Sequence, residues 1–320
     1  MISRRSILSS VFAAGLVAVF GSGTARADET IDVVASFSIL GDMVRQVGGD
    51  RVHVTTLVDP DGDGHVYQPT PADARAVATT RLLVVNGLGF EGWMDRLTEA
   101  SGYKGRVVTA TAGIEPRHME EAEDEHEAEH ENEAEEHGHE GHDHGGIDPH
   151  AWQSLANART YVRNIADGLS AVDSAGAETY RTNAARYLKE IDAVEAQVRE
   201  AVASIPPERR KVVTSHDAFD YFSAAYGIDF HAPVGVSTKA EASAGDIAKL
   251  IRQIKEEKIP AVFVENISDR RLLDQIVRET GARIGGILFS DALPKADGPA
   301  GTYLDMMRHN VRTLAAAMGV

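Results

Sequence analysis

Residues 176–204 read GAETYRTNAARYLKEIDAVEAQVREAVAS, and in them Tyr180, Tyr187, Leu188, Ile191, Val194 and Val198 recur at helical spacing. Pro206-Pro207 then stops the pattern. At ~1.5 Å per residue, about 28 helical residues span roughly 42 Å, longer than a single lobe needs, so the stretch predicts a backbone helix joining two lobes.

Working outward from this helix, both flanks show strands alternating with helices. Before it, Ile31–Ser36, Val52–Val58, Leu82–Asn86 and Arg106–Thr109 read as strands, with helices over Ile39–Val47, Pro71–Thr79, Trp93–Ala100 and Ala151–Leu169. After it, Lys211–Ser215, Asp229–Ala232, Ala261–Glu265 and Arg283–Leu288 read as strands, with helices over Ala218–Tyr226, Ala244–Lys255, Arg271–Thr280 and Tyr303–Met318. Such alternation predicts an α/β fold of two lobes, each a mostly parallel sheet flanked by helices. The expected organisation is an export signal at 1–27, an N-terminal lobe at 28–172, a linking helix at 173–206 and a C-terminal lobe at 207–320.

The chain has 320 residues, 43% of them hydrophobic, enough for two cores. It has no Cys, which excludes disulfides, Cys-ligated zinc or iron–sulfur sites and a cysteine nucleophile. A net charge of −17 with no basic stripe argues against nucleic acid as a partner.

Arg4 and Arg5 precede an apolar run, Ile7 to Phe20, and Ala25-Arg26-Ala27 is a small-residue cleavage site. Ser3-Arg4-Arg5-Ser6-Ile7-Leu8 also resembles a twin-arginine signal, with Ile7 where that class prefers Phe, so both export routes stay open. No Cys follows to carry a lipid, and no later apolar run reaches the ~18 residues that span a bilayer. The expectation is a soluble, monomeric periplasmic protein without a lipid anchor.

Between Glu115 and Gly146 stand 14 acidic residues, seven histidines and one Arg. This 115–146 stretch has too little apolar surface to offset its ordering entropy, which predicts a disordered loop in the N-terminal lobe. Its imidazoles amid carboxylates suit weak, fast capture of borderline divalent metals.

Ligands of open parallel sheets bind beyond the carboxyl ends of strands. Four residues stand at such places: His65 after the second strand, His150 just past the acidic stretch, His216 after Lys211–Ser215, and Asp291 after Arg283–Leu288. Three imidazoles and one carboxylate suit four-coordinate Zn²⁺ better than calcium, magnesium or manganese, which prefer more oxygen. His53, His231 and His309 lack this placement. Asp59, Asp61, Asp63 and Gly64 match the start of an EF-hand loop, but Thr70 stands where its bidentate Glu belongs. Asp148 and Asp217, each beside a candidate ligand, are expected to orient imidazoles or to cap helices.

Four motifs, His65-Val66-Tyr67-Gln68-Pro69-Thr70-Pro71-Ala72-Asp73, Asp148-Pro149-His150-Ala151-Trp152, Thr214-Ser215-His216-Asp217-Ala218-Phe219 and Ser290-Asp291, together resemble the periplasmic zinc-binding proteins of ABC importers, the cluster A-I solute-binding family. The resemblance implies two α/β lobes on one long helix and His65, His150, His216 and Asp291 as metal ligands. Manganese members typically carry a carboxylate at the third position, so His216 points to the zinc branch. Two departures stand out: the family often has Asp-Pro-His where this chain has Asp63-Gly64-His65, and its zinc members vary between carboxylate and water as fourth ligand.

These readings imply a non-enzymatic protein that captures Zn²⁺ as transported ligand and delivers it to an ABC permease of the inner membrane, with a periplasmic zinc chaperone as a further candidate partner. Two other functions fit parts of the sequence. A zinc-dependent hydrolase would keep an open metal position, although no His-Glu-x-x-His helix occurs; a periplasmic metal buffer would act through the His-rich loop.

Overall fold

The computed structural model describes residues 30–118, 146–295 and 297–319. The expected export signal and most of the acidic, histidine-rich stretch lie outside the described residues.

The N-terminal half runs β1 (Ile31–Phe37), α1 (Ser38–Gly48), β2 (Val52–Val58), α2 (Pro71–Thr79), β3 (Leu82–Val85), α3 (Met94–Ser101) and β4 (Arg106–Thr109). α4 (Leu155–Val172) and the long α5 (Ala177–Ala203) follow. The C-terminal half runs β5 (Lys211–Val213), α6 (Asp220–Tyr226), β6 (Asp229–His231), α7 (Ala244–Glu257), β7 (Ala261–Glu265), α8 (Arg271–Thr280), β8 (Arg283–Leu288) and α9 (Tyr303–Met318).

Each half builds one parallel four-stranded sheet, with strand orders β2-β1-β3-β4 and β6-β5-β7-β8. The two orders are the same pattern repeated. In each, the connection reverses direction beside the sheet's first strand, and ligands of such sheets gather at that reversal. The central strands explain why they stay central: β3 is Leu-Leu-Val-Val and β7 starts Ala-Val-Phe-Val, apolar runs buried on both faces.

α5 is one unbroken helix of 27 residues, about 40 Å long at ~1.5 Å per residue. It packs on α1 and α4 in one half and on α6 and α9 in the other. Tyr180, Tyr187, Ile191, Val194, Val198 and Val202 form its buried stripe. One apolar core runs from Ile31 to Met318 through both lobes, and a smaller one underlies α7 and α8.

Polar ties add to this shared core. Trp152 Nε1 and Gln153 Nε2 both donate to Ser290 O at 2.8 Å, Leu293 N donates to Ser38 Oγ at 2.9 Å, and Tyr303 N to Asp42 Oδ2 at 2.9 Å. Each is buried, so each is costly to leave unmade.

The structure departs from the expected elements most at Ala151–Leu169. Ala151–Gln153 is a short 3-10 turn, Ser154 is extended, and α4 begins only at Leu155. The shared bond of Trp152 and Gln153 to Ser290 holds this turn out of helical register.

Candidate metal centre

His65 lies in the loop after β2. Its backbone N–H donates to Asp63 Oδ1 at 2.9 Å, an Asx-type turn, and Asp63 Oδ2 accepts from Thr238 Oγ1 of the other lobe at 2.6 Å. The preceding Gly64 has no room for a side chain: a Cβ there would stand 2.6 Å from the Phe90 ring. Trp93 Nε1 donates to Gly64 O at 2.8 Å, and the His65 ring meets Phe90 edge-on at 4.8 Å. Asp63 of the EF-hand-like start therefore serves a turn and a lobe contact, and Asp61 Oδ1 accepts from Asn266 Nδ2 of the other lobe at 2.9 Å.

His150 is set by the pinched base of the acidic stretch. His118 bridges Ile147, and Asp148 N donates to Arg117 O at 2.9 Å. Fully buried Asp148 then takes the backbone N–H of His150 at 2.8 Å and lies 2.7 Å from its Nδ1. That bond keeps the ring proton on Nδ1 and turns the Nε2 lone pair inward.

His216 follows β5, and the neighbouring β7 ends in Glu265, beside the sheet's reversal point. Glu265 Oε1 accepts from the N–H groups of Ser215 and His216 at 2.7 and 2.9 Å. Its Oε2 sits 2.7 Å from His216 Nδ1, in contact though not aligned as a hydrogen bond. Sequence reasoning missed Glu265 and offered Asp217, whose backbone N–H instead donates to Val234 O. The available signal was a carboxylate ending an otherwise apolar central strand.

Asp291 follows β8. Asn310 exchanges bonds with the backbone of Phe289, and Ser290 O holds Trp152 and Gln153, so the chain is fixed on both faces just before the carboxylate.

The structure brings the four together. One donor atom from each of His65, His150, His216 and Asp291 lies within 4.8 Å of every other, the only such metal-competent group among the described residues. The residues are 3%, 0%, 1% and 1% exposed respectively. Asp291 Oδ2 is 3.2 Å from both His65 Nε2 and His216 Nε2, Oδ1 is 3.5 Å from His150 Nε2, and the Nε2 atoms of His65 and His150 are 3.2 Å apart. A tetrahedron with ligands at ~2.0–2.1 Å has edges of about 3.3 Å, close to these four distances in a set that spans at most 4.8 Å. His216 Nε2 and both Asp291 oxygens are buried without a hydrogen-bond partner. Donor atoms converging at this distance, three of them without any partner, fit a cation at their centre.

His53, His231 and His309 lie elsewhere. They contact Asp32 Oδ1 at 3.1 Å, Asp229 Oδ2 at 3.2 Å and Ile287 O at 3.0 Å.

Without metal the cluster stores protons. Burial would push His150 down, but the carboxylates of Asp291 and Asp148 outweigh it and raise its pKa to about 9. His216 is likewise raised, burial being overcome by Glu265 and Asp291. Burial lowers His65. Burial opposes ionisation of Asp291, yet the charges of His216 and His150 hold its carboxyl well below the usual range. A cation arriving here replaces protons with a charge of its own.

Two like-built α/β lobes on a shared helix, with a buried nitrogen and oxygen donor set between them, define a metal-binding substrate-binding protein. The family model described as zinc-uptake complex component A, periplasmic, matches residues 33–317. The chain belongs to this family, the cluster A-I metal-binding substrate-binding proteins of ABC importers. It is 34% identical to the manganese-binding lipoprotein MntA of Halalkalibacterium halodurans over 93% of this chain and 91% of that protein. It is 33% identical to the iron-binding protein YfeA of Yersinia pestis, over 90% and 86% of the two chains. The solved structure of the periplasmic zinc-binding protein TroA from Treponema pallidum superposes with a TM-score of 0.81 at 29% identity, covering 91% of this chain and all of that one. Family members are substrate-binding transport proteins, and proteins of this class work with a membrane permease and its ATPase.

Proposed function

We propose that this protein captures Zn²⁺ in the periplasm, as a monomer, and delivers it to an ABC permease of the inner membrane, with His65, His150, His216 and Asp291 as the ligands. The observation that carries this reading is the match between the 3.2–3.5 Å donor spacings and the ~3.3 Å edge of a tetrahedral zinc site. Three imidazoles against one carboxylate favour zinc over harder cations. Asp148 and Glu265, behind His150 and His216, keep those rings turned toward the ion. Four buried protein donors make a closed ligand set, whereas catalytic zinc keeps three protein ligands and an open position, which speaks against hydrolysis. The N-terminal Arg4, Arg5 and apolar run support export. A dedicated chaperone would be one way of loading so buried a site.

Manganese is the second reading. Both Asp291 oxygens face the histidines, which allows a bidentate carboxylate and a fifth bond, and MntA is named for manganese. Calorimetric titration with each metal, and with zinc in the presence of excess manganese, separates the two. One tight zinc site that manganese fails to displace, lost in His65→Ala, His150→Ala and His216→Ala, is the expected result. Tight binding that survives in all three variants would refute the ligand set, and preferential manganese binding would refute the zinc reading.

A further inference from the structure

A cavity of about 290 Å³ opens beside His65 at the rim of the metal centre; two cationic side chains and no carboxylate line it. Arg96, on α3 of one lobe, and Lys239, on the loop after β6 of the other, both line it, together with Gln68. Tyr67 and Trp93, packed edge-on at 5.0 Å, form its aromatic wall. The phenol and indole donors are already used, Tyr67 OH on Asp73 and Trp93 Nε1 on Gly64 O. Arg96 and Lys239 have no carboxylate partner among the described residues, in a chain whose 49 acidic side chains outnumber its 32 Lys and Arg. The Lys239 ammonium reaches across the cleft to Gly92, where even a Cβ would approach it to 2.9 Å. Lys239 also follows Thr238, whose bond to Asp63 ties the same loop to the turn that presents His65.

We propose that this cavity is an anion site bridging the two lobes, and that it takes a small divalent oxyanion of the sulfate or phosphate class. Two cations on one cavity without a counter-charge repel each other and oppose approach of the lobes; an anion between them reverses the sign of that interaction. At ~30 Å³ per water, the space holds one such anion with part of its hydration shell. Guanidinium and ammonium donors, one from each lobe, give it charge-assisted hydrogen bonds from both. Both cations are solvent-exposed, so the affinity belongs in the millimolar range and weakens with salt. Because the anion closes the cleft over His65, it slows departure of the metal; whatever factor it adds to the metal's equilibrium affinity, bound metal adds to the anion's.

The test has two arms, and only the second rests on the metal reading. Sulfate is titrated calorimetrically into the metal-free mature protein, its Arg96→Met and Lys239→Met variants, and Gly92→Ala, whose methyl displaces the ammonium without removing its charge. Zinc release to excess chelator is then timed in sulfate and in chloride at matched ionic strength. The expected results are saturable sulfate binding lost in both Met variants and weakened in Gly92→Ala, and zinc release at least threefold slower in sulfate for the wild type alone. Inorganic phosphate should compete for the same site. Sulfate binding that persists in Arg96→Met and Lys239→Met, or no binding to the wild type, overturns the anion site. Release equally fast in both salts overturns its coupling to the metal. A protein that binds sulfate but not zinc would refute the proposed function and leave the anion site standing.

Discussion

Replacing Glu265 by Gln keeps the outline of the side chain and removes its charge. Oε1 accepts two backbone N–H bonds at 2.7 and 2.9 Å, which a Gln oxygen can retain. The amide NH₂ is then forced to the position of Oε2, 2.7 Å from His216 Nδ1. A donor at that point makes Nδ1 the acceptor and shifts the ring proton to Nε2, the nitrogen aimed at Asp291 Oδ2 3.2 Å away. Metal must now displace that proton or turn the ring. Loss of a carboxylate behind a ligating imidazole costs ~10–100-fold in metal affinity, about 1.4–2.7 kcal/mol. A second effect runs the other way: Glu265 is the leading carboxylate that raises the pKa of metal-free His216, so its removal also relieves proton competition. The deficit of Glu265→Gln should therefore be largest at alkaline pH, where the wild-type ring has given up its proton, and shrink on acidification, because the raised pKa burdens the wild type with more proton competition. Zinc dissociation constants from chelator competition as a function of pH provide the assay. Wild-type affinity in Glu265→Gln at the alkaline end, or a deficit that grows on acidification, would refute the orienting role.

Four further outcomes follow from the same geometry. Because His150 is held near 9 without metal, zinc binding below that pH must expel its proton, so affinity should rise with pH by up to about tenfold per unit for each proton displaced; proton release measured in buffers of different ionisation enthalpy checks this. The same raised pKa stabilises the metal-free fold fully below the unfolded value of about 6.5 and ceases to do so as pH climbs through 9, which denaturant melts of the apo-protein would register. Trp152→Phe removes one of two donors to Ser290 O, and should cost about 1 kcal/mol of stability and several-fold in zinc affinity through Asp291, read by melting and titration. Ile191→Ala, fully buried on the stripe of α5, should destabilise by ~2–5 kcal/mol while leaving the zinc stoichiometry unchanged.

Much of the architecture was legible because local signals agree with the global fold. β2, β4, β7, α8, β8 and α9 run between the residues expected from their apolar runs and flanking breakers. α8, for example, stops at Gly281, whose φ of 75° suits a residue without a side chain. The extended start before α4 was not legible, since it depends on Trp152 and Gln153 meeting Ser290, a contact between residues far apart in sequence. The four candidate ligands stood out because each follows a strand or the acidic stretch. Glu265 did not, because a residue that ends a strand looks like part of it until the neighbouring strand is known to feed His216. Arg96 and Lys239 were equally silent: each is an ordinary surface cation in the sequence, and only folding sets them on one cavity.

The ligand set itself is tested most directly by X-ray absorption at the zinc edge of the loaded protein, beside His216→Ala. Four or five light donors are expected, with N at ~2.0–2.1 Å and the outer-shell scattering of three imidazoles, falling to two in the variant. A spectrum with one imidazole or none, or one unchanged by loss of His216, would contradict it.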